Sequence, residues 1–546
     1  MGLKRSVLLV ILSAFCLLGM VSCSSGPKPV TETKQVMPTE YPKEASQTLK
    51  TLQPHIPAGT EAVLVTSYGS LADTILQFQK WNLVDSRELD NALKDLEMHY
   101  KLNPTKLSDY FKAGMNTASG FAVGYDNNVY ILFDIYDSKK FKSWLDNFMN
   151  EEFGRPRYKE QNIGSKTLTE IHILDQDYAT LVTEDGKPAL LILGDGLVSG
   201  SPSSVECAQR LSDGKSLSQS STDHIASMLS PAPIAAWALG NGKLANLIPE
   251  KYGPLKNILS DIIFDINLAE GGPRIHLQGQ LKPNDSLPKT SLSALAKGTN
   301  AGWGDAIMHA DPSSALRVLF DAEKIEELAL PLLDEKTQNT YLDIKQKLTQ
   351  KLLKIDISDQ IIYNIGGIWA SLYGAKPTEI REPSLKDILF AQNAVIYLPL
   401  KDESKSDSFF AKLNILKRVI PEDKAQIDME NGILHAIVNL GGNKKIHAGY
   451  HDGLIAVTTG NGWTKAAQTL KTREVPASDS LHSRDIHFLT AHISFEDLTQ
   501  LLGMRYGIVK EQLSNFLAPM NYIDIQASAN EKALDVTMQG VLNNEQ

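Results

Sequence analysis

Cysteine is scarce in this sequence, which has only three: Cys16, Cys23 and Cys207. The first two lie in the N-terminal segment, so the body of the chain has a single thiol and can form no internal disulfide. Its fold must therefore be stabilised by an apolar core. Cys207 lies in a segment with a helical pattern, residues 205–211, where we expect a buried and unreactive side chain.

An excess of positive charge is also lacking. The chain has 54 lysines and arginines against 64 aspartates and glutamates, and its formal net charge is −10. Loss of the N-terminal segment would remove Lys4 and Arg5 and no acid, which makes the body more acidic still. This balance argues against nucleic acid as a partner and against broad electrostatic docking on anionic lipid.

A hydrophobic run long enough to span a bilayer is missing at the N-terminus. Residues 7–20 form an apolar run of about 15 residues, whereas a spanning helix needs roughly 20. Lys4 and Arg5 precede the run and small residues follow it, and these are the three parts of a secretory signal. We therefore predict a signal peptide over residues 1–22 and no permanent transmembrane anchor.

The residues after this run, Met20-Val-Ser-Cys23, resemble the lipobox of bacterial lipoproteins, with Met20 where leucine is commonest. The resemblance implies that Cys23 is acylated and that the chain is cleaved just before it. Several acyl chains give stable anchoring, because each buried methylene contributes about 0.8 kcal/mol. Ser24 resembles the class sorted to the outer membrane. The expected location is thus the bacterial cell envelope, with the alternative of an ordinary secretory signal cut nearby.

The rest of the chain is predicted to be a tether followed by a duplication. Residues 23–51 are rich in polar residues and proline, which is typical of a flexible tether. Similar patterns of strands and helices then occur twice, so we assign a first copy to 52–285, a linker to 286–299 and a second copy to 300–546.

The clearest matching pair is a strand followed by a helix. Residues 130–136 form a predicted strand, Asp137 can cap the next helix, and apolar residues recur there on a 3.6-residue period. They are Phe141, Trp144, Leu145, Phe148 and Met149. Residues 394–398 and the helix after Asp402 repeat this arrangement. At the start of each copy we predict a strand and then a helix: 62–67 with 70–76, and 306–311 with 313–319.

The fold class follows from the strand patterns. Several strands, such as 523–527 and 275–281, alternate apolar and polar residues, which indicates one buried and one solvated face. We therefore predict an α+β fold in which each copy is a largely antiparallel sheet with helices packed on one face.

Residues 57–60, Pro-Ala-Gly-Thr, resemble the entry motif of a family of uncharacterised exported bacterial proteins with a domain of unknown function and repeated strand–helix modules. Gly59 stands where that family usually has aspartate. The resemblance implies envelope location and repeated modules, and it implies no chemistry.

Two histidine pairs have the composition of a metal site but not its spacing. His447 and His451 are four residues apart, which on a strand is roughly 13 Å, too far for one ion. His487 and His492 differ by an odd number and would lie on opposite faces of a strand. We predict no metal and no cofactor, and treat these histidines as surface or packing residues.

Three further patterns are weak signals of catalysis. The glycines of residues 194–200 follow a strand as a phosphate loop does, but the P-loop lysine is missing, so we attribute them to turns that need positive φ. Ser199 lacks the flanking glycines of a hydrolase elbow. Asp261 and Asp265 are a potential carboxylate pair, for which we expect a solvated sheet face. No catalytic residue is assigned.

The leading hypothesis is a non-enzymatic envelope lipoprotein with a binding or scaffolding role. Its expected partners are the membrane, which it contacts through its acyl groups, and an envelope protein or ligand. The groove between the copies is its expected contact surface, and Trp81, Trp303 and Trp463 either rim this groove or stabilise packing. A hydrolase with an unrecognised site and a carrier of an apolar ligand remain the alternatives.

Overall fold

The structure, a computed structural model, describes the chain in the ranges 37–38, 40–81, 86–213, 215–229, 231–240, 242, 259–269, 271–282, 311–323, 326, 330, 337–343, 346, 358–376, 390, 392–416, 425–440, 444–459, 462–472, 487–505, 520–529 and 533–542. The predicted signal peptide, Cys23 and the predicted linker 286–299 lie outside these ranges, as does Trp303. The chain divides into two compact units, unit 1 (Met1–Gly279) and unit 2 (Gln280–Gln546).

Unit 1 combines helices with antiparallel strands. Its helices are α1 (Ala45–Leu52), α2 (Tyr68–Lys80), α3 (Ser86–Tyr100), α4 (Leu107–Lys112), α5 (Ser138–Phe153), α6 (Ser204–Asp213) and α7 (Gln219–Met228). Its strands are β1 (Ala62–Ser67), β2 (Gly120–Asp126), β3 (Asn128–Phe133), β4 (Arg157–Ile163), β5 (Lys166–Ile173), β6 (Gln176–Glu184), β7 (Ala189–Leu193), β8 (Ile234–Leu239), β9 (Leu259–Ala269) and β10 (Gly272–Leu281), the last two residues of which fall beyond the unit boundary. The strands pair in the order β4-β5-β6-β7-β3-β2-β1-β8-β9-β10, and the pairs from β4 to β9 are antiparallel.

Unit 2 is built in the same way. Its described helices are α8 (Glu403–Leu416), α9 (Trp463–Lys471) and α10 (Phe495–Arg505). Its strands are β11 (Ser314–Leu319), β12 (Gly367–Leu372), β13 (Ala394–Pro399), β14 (Ala425–Glu430), β15 (Ile433–Asn439), β16 (Lys445–His451), β17 (Leu454–Thr459), β18 (His487–Ser494), β19 (Met520–Ala529) and β20 (Ala533–Leu542). They pair antiparallel in the order β14-β15-β16-β17-β13-β12-β11-β18-β19-β20.

Both faces of the sheet in unit 1 are covered. Strand β7 is apolar throughout, and its alternate residues belong to two different core clusters. Leu190 and Ile192 pack with residues of α1, α6 and α7, whereas Ala189, Leu191 and Leu193 pack with residues of α2, α4 and α5. The prediction of helices on one face is therefore wrong for unit 1. The continuous apolar run of β7 is the pattern of a strand that is buried on both sides.

The middle of the sheet in unit 2 is also buried on both sides. In strand β17, Leu454 and Ala456 pack with Ala466 and Leu470 of α9. Ile455, which points the other way, packs in a second cluster with partly buried side chains that include a phenylalanine of α8. Helices thus lie against both faces at β17, as they do at β7.

The helix predicted after Asp137 is confirmed. It is α5, and the Asp137 carboxylate accepts hydrogen bonds from the backbone N–H groups of Lys139 and Lys140, at 3.1 and 3.0 Å. These bonds satisfy two of the donors that a helix N-terminus leaves unpaired. Phe141, Leu145 and Met149 on its apolar stripe are buried in the core.

The tether prediction is wrong for its last residues. Residues 45–51 belong to α1, and Ala45, Leu49 and Leu52 are fully buried in the core of unit 1. The polar residues between them kept the segment's average hydrophobicity low, although the apolar residues recur at helical spacing.

The helix predicted over residues 313–319 is also wrong, because Ser314–Leu319 is strand β11. It pairs with β12 on one side and β18 on the other. A short apolar segment fits a strand and a helix about equally well. Here the hydrogen bonds to two neighbouring strands determine its conformation.

Candidate functional site

The candidate site is an open cleft in unit 1, within the described part of the chain. Its volume is about 190 Å³, and it opens beside the 3₁₀ turn Gln53–His55. Strands β3 and β5–β7 and the C-terminal end of α6 supply the rest of its wall. Pro54 stands at the junction where α1 ends and the turn begins, as expected of a residue that lacks a backbone donor.

Backbone hydrogen bonds hold the two loops of the cleft together. The N–H of Leu217 donates to the carbonyl of Ile56 at 2.6 Å, and that of Ala58 donates to Lys215 at 2.9 Å. The side chain of Gln53 also donates to the carbonyl of Leu217. The loop after α1 and the loop after α6 are thus joined as a short antiparallel ladder, which fixes the mouth of the cleft.

The floor of the cleft is apolar. It is formed by Leu132, Val182, Leu190 and Leu211. The first three are buried members of the core cluster that includes α1, and Leu211 packs against that cluster while partly exposed. The floor is thus part of the packed interior.

The rim of the cleft carries Lys166, Lys187 and Lys215 and one acid, Glu184. The Lys187 ammonium lies 2.8 Å from Glu184, and the hydroxyl of Ser165 donates to the same carboxylate oxygen at 2.7 Å. These two bonds lower the pKa of Glu184, so it stays ionised. The lining residues thus include more lysines than acids, and the exposed Lys215 adds a positive charge beside the Lys187–Glu184 pair.

His55 completes the wall. Burial lowers its pKa, and the charge of Lys187 lowers it further. Its imidazole is therefore neutral near pH 7, and the charge of the rim comes from the lysines. The cleft thus places lysine side chains beside apolar ones on a chain whose net charge is −10.

Sequence reasoning missed this cleft. Its lining comes from segments near residues 55, 132, 166–190 and 211–216, which are far apart along the chain. Its lysines form no motif. The sequence shows these lysines only as isolated positive charges, one of them just before the apolar β7 segment. The pairing of β3, β6 and β7 is what brings the lining residues together.

The two aspartates proposed as a solvated pair are buried, so that expectation is wrong. Oδ2 of Asp265 lies 2.8 Å from Nδ1 of His276, and Asp261 accepts a hydrogen bond from the Trp237 indole at 2.9 Å. Each carboxylate has its own partner on a neighbouring strand. Alternation alone did not reveal these partners, because a buried polar face has the same pattern as a solvated one.

Cys207 is a free, buried thiol, as predicted. Burial raises its pKa, although Arg210, one helical turn on, donates to its sulfur at 3.3 Å and acts in the opposite direction. The same guanidinium binds the buried carboxylate of Asp126, with 3.1 Å between Nη1 and Oδ2. Arg210 is thus engaged mainly by Asp126, and the thiol keeps its proton.

The same carboxylate explains Gly59. A Cβ atom at position 59 would lie 2.6 Å from Asp126 Oδ2. The aspartate found here in the exported family that residues 57–60 resemble would therefore collide with Asp126 and add a second negative charge.

The glycine-rich loop after β7 has a different cause from the one predicted. Only Gly200 has a positive φ, of 84°. A side chain at Gly194 would collide with Asp177, and one at Gly196 with the ring of Tyr178. Close approach of neighbouring groups, more than backbone conformation, requires glycine here. Ser199 is exposed on this loop.

Histidines in unit 2 form a stack with a tryptophan. The ring centroids of His435 and Trp463 lie 3.7 Å apart, and the planes of the two rings are at 7° to each other. Nε2 of His435 lies 3.1 Å from Nδ1 of His447. Burial lowers the pKa of both histidines, and their proximity lowers that of His435 further. Trp463 therefore packs within unit 2. His451, on the same strand as His447, contacts the carbonyl of Gly432 instead.

In the pair His487 and His492, Nδ1 of His492 lies 2.9 Å from Oδ1 of Asp524. The side chain of His487 lies outside the described residues. Trp81 stacks on Phe78, with 6.2 Å between ring centroids. Within the described ranges, no group of three or more potential metal-binding side chains is found. No described helix is both long enough and apolar enough to cross a membrane.

Comparisons with known proteins give little. No family model matches the chain, and no curated protein matches it. Among solved structures, crystal form III of TP0453 is similar at a TM-score of 0.26 and 7% identity, over 44% of this chain and 83% of that one. Crystal form IV has a TM-score of 0.26 and 8% identity, over 42% and 81%. Similarity this low does not relate the functions of two proteins.

Proposed function

We propose that this chain is a lipid-anchored protein of the bacterial cell envelope that works by binding a ligand. The lipobox-like residues before Cys23 and the signal pattern of residues 1–22 support the anchor. Ser24 supports sorting to the outer membrane. The body would then be held at the membrane by acyl groups on Cys23, through a tether that ends where α1 begins.

The body of the protein is, in this proposal, a tandem duplication. The support is the strand order. Position for position, β4-β5-β6-β7-β3-β2-β1-β8-β9-β10 in unit 1 corresponds to β14-β15-β16-β17-β13-β12-β11-β18-β19-β20 in unit 2. A shared order of ten strands, with the crossovers at the same places, is far more easily reached by duplication than by chance.

The observation that carries the binding role is the cleft of unit 1. It is a concave surface with an apolar floor and a few charged groups at its rim, the usual anatomy of a small-molecule site. Its charge is opposite to that of the chain as a whole. The unit 1 cleft is therefore the proposed site, and Lys187 and Lys215 are proposed to contact the ligand.

The anchor is tested by metabolic labelling with palmitate. We expect label in the native protein and in Cys16→Ala, whose substitution lies within the predicted signal, and none in Cys23→Ala. Native protein without label, or label that survives in Cys23→Ala, would refute acylation at this residue.

The binding role is tested by native mass spectrometry of the lipoprotein extracted from envelopes in mild detergent. We expect a non-covalent small-molecule adduct on the native protein and on Lys50→Gln, an exposed lysine outside the cleft. The adduct should be lost from the double variant Lys187→Gln/Lys215→Gln. Native protein free of any adduct, or an adduct that the double variant retains, would contradict binding at this cleft.

A further inference from the structure

The chemistry of the cleft also specifies its ligand. Resting on the proposed binding role, we infer that the unit 1 cleft takes an anionic amphiphile: a phosphate or carboxylate head group with a short apolar chain. The head group pairs with the rim lysines, and the chain lies on the leucine and valine side chains of the floor.

The charge of the rim determines the head group. Lys187 and the exposed Lys215 provide ammonium donors at one opening, and Glu184 lies 2.8 Å from Lys187; Lys166, also at the rim, has a contact of its own. An ammonium is a compact point charge that suits a phosphate or carboxylate without demanding a fixed geometry. A purely cationic head group would meet a rim whose acid, Glu184, is already paired with Lys187.

The floor determines the rest of the ligand. Leu132, Val182 and Leu190 are buried, and Leu211 closes one side while partly exposed. Water over such a floor has few hydrogen-bond partners, and its displacement by methylene groups is favourable by about 0.8 kcal/mol for each methylene buried. A free inorganic anion would leave this surface uncovered.

The volume limits the chain length. The cleft has a volume of about 190 Å³ and is open to solvent. A phosphate head group and a few methylenes fill it, and a longer chain must leave through the open mouth. A free amphiphile and a membrane lipid both meet this description, since each can place its head group and the first part of its chain in the cleft.

Isothermal titration calorimetry on the full-length lipoprotein in detergent tests this inference. The probes, used below their micellar concentrations, are octyl phosphate, inorganic phosphate, octanol and octyltrimethylammonium. We expect octyl phosphate to bind at least tenfold more tightly than inorganic phosphate or octanol, and octyltrimethylammonium not to bind. Equal affinity for the anionic and cationic octyl compounds would overturn the inference.

Two variants separate the rim from the floor. Lys187→Gln/Lys215→Gln should lower the affinity for octyl phosphate and for inorganic phosphate at least tenfold, whereas Lys50→Gln should change neither affinity. Leu211→Gln should lower the affinity for octyl phosphate about tenfold and leave the affinity for inorganic phosphate unchanged. Circular dichroism checks that each variant is folded.

If Leu211→Gln does not fold, the native protein can be titrated with butyl, hexyl and octyl phosphate. Affinity should rise between butyl and hexyl phosphate and level off by octyl phosphate, as the cleft fills; affinity independent of chain length would overturn the apolar half of the inference. Competition by phosphatidylcholine vesicles that contain phosphatidic acid, and not by pure phosphatidylcholine, would identify a membrane lipid as the source. Absence of competition would identify a free amphiphile.

The outcome also distinguishes this inference from the proposed function. An adduct in native mass spectrometry that is neutral or cationic would refute the anionic amphiphile and leave the binding role intact. No adduct together with no octyl phosphate binding would refute both.

Discussion

The ion pair between Asp126 and Arg210 allows a direct test of how unit 1 is stabilised. The Asp126 side chain is 6% exposed and that of Arg210 is 48% exposed. Loss of one partner of a fully buried pair costs about 3–5 kcal/mol, and loss of an exposed pair about 0–1 kcal/mol. For this half-buried pair we expect Arg210→Met to lower the free energy of unfolding of unit 1 by roughly 2 kcal/mol.

Cys207 supplies the assay, because its buried thiol reacts only when unit 1 opens. A loss of roughly 2 kcal/mol raises the population of the opened state about 30-fold. The rate at which a thiol reagent labels Cys207 should rise by the same factor. Peptide mass spectrometry separates this cysteine from Cys16 and Cys23.

The direction of the change excludes the simpler explanation. Arg210 lowers the pKa of the Cys207 thiol, so its removal leaves less thiolate in the folded state and slows any reaction there. Faster labelling of Arg210→Met can therefore come only from opening. The matched control is Arg157→Met, which removes an exposed contact of 2.9 Å with Asp175. If Arg210→Met labels no faster than the native protein, or if Arg157→Met accelerates labelling as much, the reasoning is wrong.

Three further substitutions test other features. Leu49→Ala should destabilise unit 1 by about 2–5 kcal/mol in urea titrations, since Leu49 is fully buried, whereas Leu174→Ala, at a side chain 93% exposed, should change stability by less than about 0.5 kcal/mol. Gly59→Asp should lower the thermal midpoint, because its Cβ would collide with Asp126; an unchanged midpoint would contradict the predicted collision. The lowered pKa of His435 means that the unfolded chain binds more protons near pH 6 than the folded one, so unit 2 should lose stability as the pH falls through the ordinary histidine value of 6.5. Denaturant titrations at pH 7.5 and 5.5 measure this loss, and His435→Gln should make it smaller. An equal loss of unfolding free energy between the two pH values in the native protein and in His435→Gln would refute the assignment.

The helices and strands with strong local signals were predictable from the sequence. The capped helix α5 and the strand β1 occur where the sequence indicated them. In both, the local pattern and the tertiary packing favour the same structure. Strands β4–β6 were missed because their signal is weak: β4 is almost entirely exposed, with charged residues along an outer strand. Charged outer strands resist pairing with other chains, but this composition resembles that of a loop.

The number of covered faces could not be predicted in the same way. Alternation in β10 and β19 suggested one wet face for the whole fold, whereas β7 and β17 lie in the middle of their strand orders and are buried on both sides. A one-dimensional pattern describes each strand by itself. The helices that cover it come from distant segments, and the same separation concealed the cleft and its lysines.

The burial of β7 on both faces has a consequence for the cleft. Leu190 forms part of the cleft floor, and its neighbours Ala189 and Leu191 point into the opposite core cluster. The floor therefore cannot move without disturbing packing on both sides of the sheet, and interiors packed in this way resist deformation. Under the proposed binding role, a ligand would have to fit a cleft that exists before it binds, and little of its binding energy would be lost to reorganisation. Selection among ligands would then be left to the rim, where Lys187 and Lys215 are exposed and can adjust to a head group while the floor stays fixed.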